Sequence, residues 1–319
     1  VALTLNDRED GIFSRQVLLE GADFYSSPRL SPDCKRLAWI SWNHPSQPWL
    51  STCLWEAGLD GTGQPIDTIS ISKGSAYGIP ESLQQPEYSP QGELYFISDR
   101  NGYWSLYRYL RRNQAVEPCV TGSHHLSREW SGAPWQLGLR SYDFIDDTNL
   151  AASYLQMGTA GLTRIQRTAG QSQELLSGYA RLHSVVTHQR QVVAVAEFPD
   201  QPAQVISICP RDGTVTAIDR LLLSTGGVST GGVPIGGITT GCPSTCCPSP
   251  AVEHLSFDTG SINAQGQLEA TDQAHGFFYP SLTTERASKP PLLVRIHGGP
   301  TSMADSGYDP QRVFWLMRG

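Results

Sequence analysis

Four times along the chain a polar turn gives way to a short run of alternating apolar residues. The turns are Ser31-Pro32-Asp33-Cys34-Lys35-Arg36, Ser89-Pro90-Gln91-Gly92-Glu93, Asp146-Asp147-Thr148-Asn149 and His188-Gln189-Arg190-Gln191, each leading into a strand-like segment. The first apolar positions, Leu37, Leu94, Leu150 and Val192, recur at roughly 57, 56 and 42 residues, near the period of a four-stranded propeller blade with inserted loops. An ordinary β-sandwich also places short strands at regular intervals. The Ser-Pro-x-x turn shared by two repeats favours the propeller. A second strand in each repeat, residues 104–109 or 205–208, is expected to end the blade, followed by a polar turn such as Arg211-Asp212-Gly213-Thr214. Cys34 stands where Gly92 stands in the next repeat, so a turn that needs positive φ would be strained, and a locally altered turn is expected there. The aromatic groups Trp39, Trp42 and Trp49, and Tyr103, Trp104 and Tyr107, are expected to fill the space between sheets.

Composition limits what such a repeat protein can do. At 319 residues, with 39% hydrophobic and 17% charged residues, 31 Gly and 22 Pro, the chain is a turn-rich globular protein with a sizeable core. A net charge of −7, with no basic run longer than Arg111-Arg112, argues against nucleic acid or an anionic membrane as a partner. No segment reaches the roughly 18 apolar residues of a membrane-spanning helix, and no secretion signal opens the chain. The seven cysteines are odd in number and lack a regular framework, so Cys34, Cys53, Cys119 and Cys209 read as buried free thiols in a reducing, cytoplasmic compartment.

Composition shifts abruptly between residues 224 and 250, where Gly-Gly-Val and Gly-Gly-Ile recur before Cys242, Cys246 and Cys247. Such a stretch has little to bury and reads as a flexible insert between 1–223, a partial propeller of about four visible blades, and 251–319. Beyond it, segments 252–257 and 274–280 read as strands, and Pro291-Leu292-Leu293-Val294-Arg295-Ile296 as a buried parallel strand delivering His297-Gly298-Gly299. Residues 308–318 read as a helix. Strand, strand, strand, turn and helix is how an α/β-hydrolase domain begins, and an HGG turn there offers a backbone N–H to the oxyanion of acyl transfer. Glycine lets the main chain approach closely. The turn lies only about twenty residues from Gly319, too near for the nucleophile, acid and base that follow it in such a fold, and the chain also opens on Val1. Both ends therefore read as cut, and the catalytic residues are expected outside this chain.

Other chemistry is weaker. Gly227-Val228-Ser229-Thr230-Gly231 matches the nucleophile-elbow pattern, but it lacks a preceding strand and a following helix, so Ser229 is rejected as a nucleophile. Cys242, Cys246 and Cys247 lack the spacing of a zinc half-site, and His124-His125 have no spaced ligand partner, so no metal and no cofactor is expected.

The repeats with Asp23-Phe24 leading into Arg29-Leu30-Ser31-Pro32-Asp33, the segment Leu94-Tyr95-Phe96-Ile97-Ser98-Asp99-Arg100-Asn101-Gly102, and the later Gly276-Phe277-Phe278-Tyr279-Pro280 and Ile296-His297-Gly298-Gly299-Pro300-Thr301-Ser302 together resemble the prolyl oligopeptidase family of serine peptidases, in its acylaminoacyl-peptidase and dipeptidyl-peptidase-like branch. The resemblance covers nearly the whole chain outside 224–250. It implies a β-propeller capping an α/β-hydrolase domain, a short peptide as substrate, and acyl-enzyme chemistry by a Ser, His and Asp set. Only the oxyanion element carries over, with the Gly299 N–H as donor and His297 and Gly298 shaping the turn. A homo-oligomer is compatible with the family. The competing readings are a non-catalytic propeller that binds a protein partner and an esterase with the same oxyanion sequence.

Overall fold

The computed structural model describes residues 2–4, 14–121, 127–218, 252–263, 265–282, 291–299 and 302–318. A short pair, β1 (Ala2–Thr4) and β2 (Ser14–Gln16), precedes four four-stranded antiparallel sheets, each a simple meander. Blade 1 contains β3 (Phe24–Leu30), β4 (Arg36–Trp42), β5 (Cys53–Leu59) and β6 (Pro65–Lys73). The small hairpin of β7 (Ser75–Ala76) and β8 (Ile79–Pro80) leads to blade 2, with β9 (Leu83–Tyr88), β10 (Leu94–Ser98), β11 (Ser105–Leu110) and β12 (Ala115–Pro118). Blade 3 contains β13 (Tyr142–Phe144), β14 (Asn149–Gln156), β15 (Thr159–Gln166) and β16 (Ser172–Tyr179). Blade 4 contains β17 (Arg181–His188), β18 (Gln191–Glu197), β19 (Gln204–Ile208) and β20 (Val215–Ala217). The long hairpin of β21 (Glu253–Ile262) and β22 (Leu268–Phe278) and the helix Pro310–Leu316 complete the described elements.

The repeated apolar segment is the second strand of every blade. Burial on both faces then separates a propeller from a sandwich, whose sheets keep one face in water. All five residues of β10 are buried. Leu94 and Phe96 pack with Ala38, Ile40 and Leu54 of blade 1, whereas Tyr95 and Ile97 pack with Tyr142, Leu150 and Ala152 of blade 3. Ala151 and Leu162 in turn meet Val192, Ala194 and Ile206 of blade 4. Each sheet is therefore stacked on the next in chain order.

Arginine–carboxylate contacts, partly buried, reinforce the stacking. Arg111 of blade 2 donates from Nε to Glu56 of blade 1 at 2.7 Å, and Tyr88 donates to the same carboxylate at 2.7 Å. Arg167 of blade 3 donates to the Tyr95 hydroxyl at 3.0 Å and pairs with Glu93, both in blade 2.

Two expectations change. The segments read as ending a blade, residues 104–109 and 205–208, lie in the third strands β11 and β19, and each is followed by a fourth. Those edge strands are short and half-solvated, and Pro118 ends one of them, so they carry little alternating signal. At Cys34 the turn is unaltered. Cys34 N donates to Ser31 O at 2.8 Å, as Gly92 N does to Ser89 O at 2.8 Å, and Cys34 takes the left-handed conformation with φ of 56°. The Ser31 hydroxyl receives Arg36 N at 2.9 Å and donates to Asp33 at 2.6 Å, holding the turn against that strain.

Candidate functional site

In an antiparallel meander the first and third turns share one end of the sheet and the second turn lies at the other. The segments after residue 250 meet the end that carries the second turns. The Phe277 ring of β22 lies 2.8 Å from where a Cβ on Gly158 would stand, and Gly158 belongs to the β14–β15 turn. Tyr308 N donates to Phe198 O at 2.7 Å, just past β18, and Arg181 approaches Asp305 at 3.8 Å.

The helix Pro310–Leu316 is set by its own sequence. Asp309 caps it by accepting from Gln311 N at 2.9 Å, and Pro310 opens the first turn, where its missing N–H costs nothing. Asp309 also accepts from Arg295, which ties the preceding apolar run to the cap. Burial raises the Asp309 carboxyl, but Arg295 and the first-turn amides outweigh it and hold the group below its ordinary value.

Residues 291–299 do not form the buried strand expected of them. Leu292, Leu293, Val294 and Ile296 are 67–86% exposed, and among the described residues no strand pairs with this segment. A parallel strand is buried only between flanking strands and covering helices, whereas among the described residues β21 and β22 pair only with each other. The His297-Gly298-Gly299 turn follows as an exposed feature. Gly299 has φ of +76°, a backbone that glycine adopts freely, and a Cβ there would lie 3.6 Å from the Trp135 ring. Among the described residues no acceptor takes the Gly299 amide, and His297 Nδ1 lies 3.5 Å from Gly298 O.

Trp135, 47% exposed, is packed on Trp49 with ring centroids 4.1 Å apart. Trp39, Trp42 and Tyr107 are buried as expected, but Trp49 is only half-buried and packs on Trp135. Trp135 escaped the sequence reading because its loop has no strand periodicity.

Another cluster left no trace in the spacing. His183 in β17 lies 3.1 Å from Glu197 Oε1 through Nε2 and 3.1 Å from the Ser184 hydroxyl through Nδ1. These are the residue types of an acyl-transfer triad, brought together by strand register and a bulge at Ser184, where φ is 55°. Ser184 is exposed, and the nearby Gly307 amide is already donated to Asp305 at 3.0 Å, so that amide is not available to an oxyanion. The His183 hydrogen bond holds the Glu197 carboxyl below its ordinary value.

Ser229, His124, His125, Cys242, Cys246 and Cys247 lie outside the described residues. Among the described residues no three His, Cys, Asp or Glu side chains could together hold a metal ion, and no helix is long and apolar enough to cross a membrane. Of the four described thiols, all free, only Cys119 is buried. Cys34 is exposed, and Cys53 and Cys209 are half-buried, because they stand at a turn or near strand ends.

No family model matches the chain, and no curated protein does. Solved structures match. A puromycin hydrolase, crystallised as an S511A mutant with PGG, aligns over 93% of this chain and 40% of its own, with 24% identity and a TM-score of 0.73. A puromycin-hydrolyzing peptidase of Mycobacterium tuberculosis aligns over 98% of this chain and 42% of its own, with 24% identity and a TM-score of 0.73. The chain shares their fold. A prolyl endopeptidase aligns over 91% of the chain at 13% identity with a TM-score of 0.57. The resemblance to prolyl oligopeptidases thus holds at the level of fold: a partial propeller followed by the first elements of the attached domain. The chain spans about two-fifths of the length of these structures.

Proposed function

We propose that this chain is the propeller and leading hydrolase-domain portion of a serine peptidase that cuts oligopeptides through an acyl-enzyme. A serine oxygen attacks the scissile carbonyl carbon and its proton passes to histidine. The C–N bond then breaks as the amine leaves with that proton, and water hydrolyses the ester. The observation that carries the reading is the Gly299 turn: left-handed, exposed, with an amide that no described group accepts, on the end of the blades that the later segments meet. An amide in that state can serve the oxyanion of the tetrahedral intermediate. His297 and Gly298 shape the approach, and the propeller restricts entry to short peptides. The chain supplies this element without the triad and has no activity alone, and the free thiols suit a reducing, cytoplasmic setting.

A fluorophosphonate probe tests the proposal. A longer product of the same gene should be labelled and the 319-residue chain should not. Labelling of the 319-residue chain would contradict it, and loss of that label in Ser184→Ala would put the nucleophile on blade 4 instead.

A further inference from the structure

A cavity of about 330 Å³ opens between blades 3 and 4 at the end of the sheets opposite the Gly299 turn. Its walls are turns of the first and third kind: Asp146 between β13 and β14 with Asn149 opening β14, Arg190 between β17 and β18, and Cys209 and Arg211 between β19 and β20. Arg164 of β15 completes the lining from blade 3.

Several arginines elsewhere are matched with carboxylates: Arg100 with Glu81, Arg111 with Glu56, Arg128 with Glu174 and Arg167 with Glu93. Arg36 and Arg112 are not, and neither are Arg164, Arg190 and Arg211, which alone of these five line the recess. None has a carboxylate at ion-pair distance among the described residues. Arg164 is held across the blade boundary by donating to Pro210 O at 3.2 Å, with its other terminal nitrogen on Gln173. Arg190 projects from two successive left-handed residues, Gln189 with φ of 49° and Arg190 with φ of 62°, so its turn fixes where the side chain starts.

The nearby carboxylates are committed to their own turns. Asp146 accepts from Thr148 N and Asn149 N, each at 2.8 Å, and Asp212 accepts from Thr214 N at 3.0 Å. Three arginines without a carboxylate partner thus line one recess in a chain whose net charge is −7. Guanidinium forks match phosphate oxygens in pairs. The volume equals roughly ten waters at about 30 Å³ each, which leaves room for more than one phosphoryl group.

We infer that this crevice binds a small polyvalent phosphate-type anion, held by Arg164, Arg190 and Arg211. The inference stands apart from the peptidase reading, since none of these residues is near Gly299. Titration calorimetry of the 319-residue chain with inorganic pyrophosphate at about 0.15 M salt, where exposed charges are screened beyond about 8 Å, tests it. The expected result is saturable binding of one pyrophosphate per chain. Arg190→Gln with Arg211→Gln should weaken it at least tenfold, each single change should weaken it less, and Lys35→Gln with Arg112→Gln should leave it unchanged. Thermal unfolding of each variant checks that it folds, and the single variants carry the test if the double does not. Absence of saturable binding, equal weakening by the two double variants, or citrate binding as tightly as pyrophosphate would overturn the inference.

Discussion

At the scale of single residues, backbone conformation and burial do most of the work. Gly299 sits at φ of +76°, where a side chain costs about 1–2 kcal/mol, whereas Gly298 is not left-handed and a Cβ there meets nothing within 4 Å. In an active longer form, Gly299→Ala should therefore lower kcat by about ten- to a hundred-fold through displacement of the amide, with Gly298→Ala near wild type. Steady-state kinetics on an aminoacyl-arylamide would show the split. Cys34 presents the converse case: it is exposed and left-handed, so Cys34→Gly should raise stability by roughly 0.5–1 kcal/mol in denaturant unfolding. Burial pushes the Asp99 carboxyl up to about 6, with the charge of Glu81 adding to it against the Ser82 amide hydrogen bond. Because the folded state binds that proton more tightly than the unfolded chain, the contribution is full below about pH 4 and fades as pH rises through 6. Asp99→Asn should raise the unfolding temperature at pH 7.5 and remove the gain seen on acidifying from pH 7 to 5.

At the scale of elements, the second strand of each blade was legible in the sequence because it is apolar on both faces and follows a turn with its own chemistry. The fourth strands were not, since half-solvated edges such as β12 and β20 carry no strict alternation, and the first strand β9 was hidden because it is buried yet polar in sequence, Leu83-Gln84-Gln85-Pro86-Glu87-Tyr88. The contacts that bind one blade to the next were also hidden, because strand periodicity does not say which side chains meet between sheets. Glu81, fully buried, accepts from Ser72 of blade 1 and from Ser98 of blade 2 at 2.5 Å each, and pairs with Arg100 at 2.6 Å. Removing the cation leaves that carboxylate uncompensated in the interior, so Arg100→Met should cost about 3–5 kcal/mol in denaturant unfolding. A loss below about 1 kcal/mol would show that the two serines suffice for the charge.

At the scale of the whole molecule, repeat period and turn chemistry were enough to distinguish stacked blades from a two-layer sandwich, and the structure agrees through the two-faced burial of β10. The HGG turn was legible as a motif, but its surroundings were not. The supporting Trp135 lies in a loop, and the apolar run before the turn is exposed because no described strand flanks it. The two ends of the blades also differ in chemistry. One meets the later segments near Gly299, and the other gathers three arginines that have no ion pair among the described residues. The most direct test of the functional account is a crystal structure of the longer gene product carrying a fluorophosphonate adduct. The account predicts the phosphonyl oxygen about 2.7–3.1 Å from the Gly299 nitrogen. An adduct oxygen held by other donors, with the Gly299 amide spent in sheet pairing, would contradict it.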